Sequence, residues 1–155
     1  MFAIGAIAAP ACHKGMSATN DGAADRRVEK LRDLIALPAT PSEVWFEQVP
    51  RGTSGGLGPT DYLLVAVMRF DRAQLASVTA ATHRRPGAPP RISATANRPW
   101  FPDSVRAFIR PHDDHSVTVR GDKFDATPFA KSPFLSGYFV VVEGGEYVIL
   151  ALETS

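Results

Sequence analysis

Cysteine, long apolar runs and net charge are what this 155-residue sequence has least of. The single Cys12 cannot close an internal disulfide, so the fold must rest on a packed core. No apolar run approaches the roughly 20 residues of a membrane-spanning helix. A formal net charge of +1 sets up no global field that would draw nucleic acid or a membrane. Catalytic signatures are missing as well. There is no HExxH for a zinc protease, no GxSxG elbow, and no phosphate loop ending in lysine and Ser/Thr. The familiar enzyme classes built on those motifs are set aside.

What is present is ordinary for one globular domain: 45% hydrophobic and 21% charged residues. Thirteen prolines against twelve glycines predict long irregular connections. Thirteen arginines outnumber four lysines, a bias that fits a GC-rich coding sequence as readily as phosphate recognition. Charge is unevenly placed along the chain. Residues 72–110 carry seven arginines against Asp103 alone, whereas residues 121–155 carry five acids against two lysines.

Periodicity predicts an α+β fold. Ala24, Val28, Leu31 and Ile35 recur at helical spacing, so a helix is expected over residues 25–36, closed by Leu37-Pro38. A strand is expected over 43–49, with Val44 and Phe46 on one side and Trp45 and Val49 on the other. Residues 62–70 are the most apolar run and suit a central strand buried on both faces. The glycine-rich connection 50–60 makes these two strands an antiparallel pair. Asp71 with Gln74 forms a capping box for a helix over 71–82, and Pro102 opens a short helix over 102–109. Residues 83–99 read as loop, and Val117 and Val119 mark a strand over 116–120. Residues 122–137 read as an ordered loop pinned by Phe124, Phe129 and Phe134. Gly144-Gly145 joins two β-rich runs into a hairpin over 138–153. The sum is a mostly antiparallel sheet of about five strands with two or three helices on one face. Residues 1–22 are expected to be an export-signal remnant or a lipoprotein-type tether, and residues 23–155 a single globular domain.

No residue set reads as a catalytic, cofactor-binding or metal centre. The most metal-like cluster is PHDDH, residues 111–115, in which His112, Asp114 and His115 could serve a hydrolase. Adjacent residues in a turn diverge, and a solvated turn after the short helix explains them better. Arg84, Arg85, Arg91 and Arg98 could contact anions or nucleic acid, but pairing with the acidic carboxy-terminal strands is the simpler expectation. Trp100 and Phe101, flanked by Arg98 and joined by Tyr62, are the candidate contacts for a partner.

Residues 1–11, MFAIGAIAAPA, are apolar and small and run into Cys12, as the end of a secretory signal does. Small-small-cysteine is similar to the lipobox of bacterial lipoproteins, and the polar HKGMSATNDGAAD that follows suits a tether. With VWFEQVPRGTSGGLGPTDYLLVAV downstream, the chain resembles small uncharacterised lipoproteins of Gram-negative bacteria that carry a GPTDY-type motif. The resemblance implies lipid attachment at Cys12 and a place in the cell envelope, and it assigns no catalytic residue. The expectation is a non-enzymatic, lipid-tethered domain that binds a protein partner, as an inhibitor or immunity factor would. It needs no cofactor, and no nucleic acid is expected as partner. A cytoplasmic protein with a chance cysteine, a metal-dependent hydrolase and an anion binder are the alternatives.

Overall fold

The computed structural model describes residues 25–51, 61–93, 99–113 and 116–154. Cys12 and its tether, the glycine-rich residues 52–60, Arg98, Asp114 and His115 lie outside them. Helix α1 (Val28–Leu34) leads into strands β1 (Glu43–Arg51) and β2 (Asp61–Arg69), and helix α2 (Arg72–Ala80) follows. Then come β3 (Arg91–Ser93), the short helix α3 (Asp103–Arg106), β4 (Ile109–Asp113), β5 (Ser116–Val119) and β6 (Gly121–Asp125). A 3₁₀ turn at Thr127–Phe129 precedes the closing hairpin of β7 (Phe134–Val142) and β8 (Tyr147–Thr154).

Five strands form one antiparallel sheet in the order β1-β2-β8-β7-β6. The expected α+β fold, the β1–β2 pair and the terminal hairpin are all present. Alternation along β2 explains why it reads as continuously apolar. Leu64, Ala66 and Met68 join one core with Leu31, Ile35, Leu75, Val78 and Phe129, under α1, α2 and the 3₁₀ turn. Leu63, Val65 and Val67 face the other way, into a second core with Ile92, Phe101, Val105, Val117 and Val119. That second core is roofed by α3 and a three-stranded antiparallel sheet, β3-β5-β4. Both faces of the large sheet are therefore covered.

Several local readings differ from the structure, among them residues 83–99, read as loop, which hold strand β3. α1 stops at Leu34, because Ile35 turns extended and Ala36 N–H is captured by the Phe129 carbonyl at 3.1 Å. Residues 122–137 hold strand β6 and the start of β7 as well as a loop. Their phenylalanines do anchor it: Phe124 stacks on Phe139 with ring centroids 5.2 Å apart, and Phe129 meets the same ring edge-on. Residues 109–113 form the edge strand β4 where a turn was expected. α2 starts as anticipated, with Gln74 N–H donating to the Asp71 carboxylate at 2.8 Å and Gln74 Oε1 accepting from Asp71 N–H.

The outer strands of the large sheet are paired beyond the sheet itself. Asp25 and Phe46 exchange backbone hydrogen bonds on the open side of β1, at 2.9 and 3.0 Å. Pro50 has the same parity in β1 as Phe46, so its missing N–H would have pointed outward. On the other side, Arg84 bridges to Phe124 in β6, with Arg85 N–H donating to Lys123 O at 2.7 Å.

Candidate functional site

The expected aromatic contact set does not assemble. Phe101 is 2% exposed and belongs to the second core, so it anchors the fold and offers a partner nothing. Trp100 meets it edge-on, ring centroids 4.7 Å apart, and is half-buried. Its indole N–H donates to Glu47 on β1 at 3.1 Å, which holds the loop before α3 against the large sheet. Tyr62 is 40% exposed, but it shares the parity of Leu64 and Ala66 and so lies on the opposite, helical face. Arg98 lies outside the described residues.

Of the metal-like cluster, His112 and Asp113 are exposed on β4, while Asp114 and His115 fall outside the described residues. Among the described residues no group of three or more His, Cys, Asp or Glu side chains is placed to hold a metal ion.

The arginines do come together, from segments far apart in sequence. Arg84 pairs with Asp122, and Arg85 sets two donors, Nε and Nη2, on one carboxylate oxygen of Asp125. Arg120 pairs with Glu143 at 2.6 Å and lies over the Phe108 ring. Pairing of the basic middle with the acidic end is thus realised at β6. These ion pairs are exposed, so each contributes little to stability. They also fix the direction of the guanidinium groups, each of which has five N–H donors.

Register places two more arginines beside them. In the small sheet Arg91 and Arg110 flank Thr118 as direct cross-strand partners, which puts all three side chains on one face. The alternate row, Ile92 and Val117, is buried against the second core, so the Arg91–Thr118–Arg110 row points to solvent. Thr118 also lines a cleft of about 310 Å³ whose opposite wall is the proline-rich segment from Arg84 to Pro90. Arg120 and Lys123 complete its rim, and among the described residues Asp122 is the one acid lining it. The Lys123 ammonium sits 4.1 Å from the centre of the Tyr138 ring. The next row of the small sheet, Ser93–Ser116–Asp113, is neutral to acidic, so the face is polarised toward the cleft. Arg110, Thr118, Arg120 and Lys123 were absent from the sequence-level site. The excess of arginine over residues 72–110 was the only signal that pointed their way.

Elsewhere the described surface shows an apolar groove of about 350 Å³ between α2 and the hairpin turn, lined by Leu75, Phe124 and Val141 among others. Among the titratable groups, Asp25 and Tyr138 are displaced from their ordinary range in opposite directions. Hydrogen bonds from Arg27, joined by Lys30, hold the Asp25 carboxyl well below it, against the opposing effect of burial. Burial pushes the Tyr138 hydroxyl up.

No protein-family model matches the chain, and neither does any curated protein or solved structure.

Proposed function

We propose that the chain is a non-enzymatic bacterial envelope protein, a domain tethered by lipid at Cys12 that binds a protein partner. The observation that carries the binding reading is the outer face of the three-stranded sheet. Arg91, Thr118 and Arg110 stand in a row on an open surface, with further cations from two other segments at its border. Such a surface suits a macromolecule better than a small substrate, which calls for a concave and mostly apolar site. The lipid tether is supported by the small-small-Cys12 sequence and the polar stretch after it.

Two measurements on the full chain in a Gram-negative host test this reading. A photo-crosslinking benzophenone residue at position 118 is expected to give a discrete protein adduct, and the same residue at position 29 on α1 none. Adducts from neither position, or equally from both, would remove the binding face. Radiolabelled palmitate is expected on the wild type and not on Cys12→Ala; label on neither would remove the anchor.

One observation favours a second reading, recognition of a nucleic acid or small anion by Arg84, Arg85 and Arg91. Those side chains lie near one another with Arg110 and Arg120. Single-stranded nucleic acid is held by aromatic stacking as much as by charge. The large apolar side chains most exposed among the described residues are Tyr62 and Leu135, and neither lies on this face. The protein partner remains the better account.

A further inference from the structure

The Arg91–Thr118–Arg110 row and the adjoining cleft, we infer, are the docking surface for an acidic segment of a partner protein. This rests on the binding-domain reading above and names the chemistry of its partner.

Charge is the first argument. Six cations border this continuous surface, and the acids toward the cleft, Asp122, Asp125 and Glu143, are each paired with one of them. Cations are in excess, and arginine matches a carboxylate with two parallel donors where lysine offers a point charge. The molecule's own carboxylates already pair with arginine here. Three of its own carboxylates lie on Arg84, Arg85 and Arg120 and engage only one or two of the five donors of each guanidinium.

Geometry is the second. Neighbouring strands lie about 4.8 Å apart, so the backbones bearing Arg91 and Arg110 are separated by roughly 10 Å with Thr118 between them. Acidic residues two apart on an extended chain present carboxylates about 7 Å apart on one side. Two long arginine side chains can reach carboxylates at that spacing, with Thr118 between them as a further donor. The cleft wall contains Pro86, Pro89 and Pro90, which keep it stiff, so little order has to be imposed on binding.

Among the described residues no large exposed apolar side chain lies on this face, which argues against the two other anionic surfaces. Bases would find no ring to stack on, and a bilayer would find nothing to insert.

Fluorescence anisotropy of a fluorescein-labelled poly-glutamate peptide with the full chain tests the inference. Binding is expected, falling steeply as salt rises, with about tenfold weakening for Arg91→Ala and again for Arg110→Ala. Arg91→Lys and Arg110→Lys keep the charge and are expected to lose only part of it. All four variants should melt as the wild type does, since both side chains are exposed. Absent poly-glutamate binding, or binding unchanged in the alanine variants, would overturn the inference. So would tighter binding of a single-stranded oligonucleotide or of phosphatidylglycerol vesicles. A position-118 adduct that persists when poly-glutamate does not bind would leave the partner reading standing while the acidic chemistry fails.

Discussion

The Tyr138 hydroxyl on β7 donates a hydrogen bond to the Arg91 carbonyl on β3 at 2.5 Å, and so ties the small sheet to the large one. Burial raises the pKa of this hydroxyl above its ordinary value of 10.0. A raised acid pKa means that the bond contributes fully below the unfolded value and is lost as pH rises through the folded one. Tyr138→Phe is expected to lower stability by about 1 kcal/mol at neutral pH. Urea titrations at rising pH should show the gap to wild type closing only above about pH 10.

Asp25 behaves with the opposite sign. Its carboxylate accepts from Arg27 at 2.8 Å and from Lys30 at 2.8 Å, and its pKa is lowered. The stability it contributes is present above the ordinary carboxylate range and is lost as pH falls below about pH 4. Asp25→Asn should be less stable than wild type at neutral pH, and its acid unfolding curve should merge with the wild-type curve at low pH. A gap that stays constant with pH would contradict the assigned pairing.

Two glycines separate steric from conformational cost. At Gly137, with φ +152°, a Cβ would lie 2.1 Å from the Ala151 carbonyl oxygen on β8. At Gly145, with φ +73° in the hairpin turn, nothing lies within 4 Å. Gly145→Ala is expected to cost about 1 kcal/mol, the penalty of the left-handed backbone alone. Gly137→Ala should cost more than about 3 kcal/mol, because backbone must move against backbone. Denaturant midpoints of the two variants compare them directly.

Trp100 and Phe101 are sequence neighbours with unequal roles. Phe101→Ala opens a cavity in the second core and is expected to cost about 3–5 kcal/mol. Trp100→Phe keeps a ring, loses the N–H bonded to Glu47, and should cost about 1 kcal/mol in the same assay.

These residues also show what is legible in the sequence. The hairpin and β2 could be read because two apolar runs meet at Gly144-Gly145 and because β2 alternates between two buried faces. The three-stranded sheet is not legible in the sequence for the same reason that it has an open face. β3 and β4 are short, and every second residue in them is Arg, His or Ser, so only Ile92 and Ile109 speak for burial. Pro111 in β4 reads as a turn residue, yet an edge strand tolerates it. The candidate contacts failed differently. Nothing local tells that Tyr62 and Trp100 end on opposite sides of one sheet, or that Arg91 and Arg110 end on one side of another, since strand register decides both.

The bridge from Asp25 to Phe46 has a further consequence for the protein as a substance in solution. An uncovered outer strand is a template on which a second copy can add, and repeated addition yields fibres or swapped dimers. Asp25 occupies the middle of β1, Pro50 interrupts its donor row, and Arg84 and Arg85 shield β6 at the opposite border. A variant trimmed to begin at Val28 should therefore self-associate at concentrations where the intact chain stays monodisperse, as light scattering would register. The brief strand contributed by Asp25 works as a cap against lateral growth, a service quite separate from recognition.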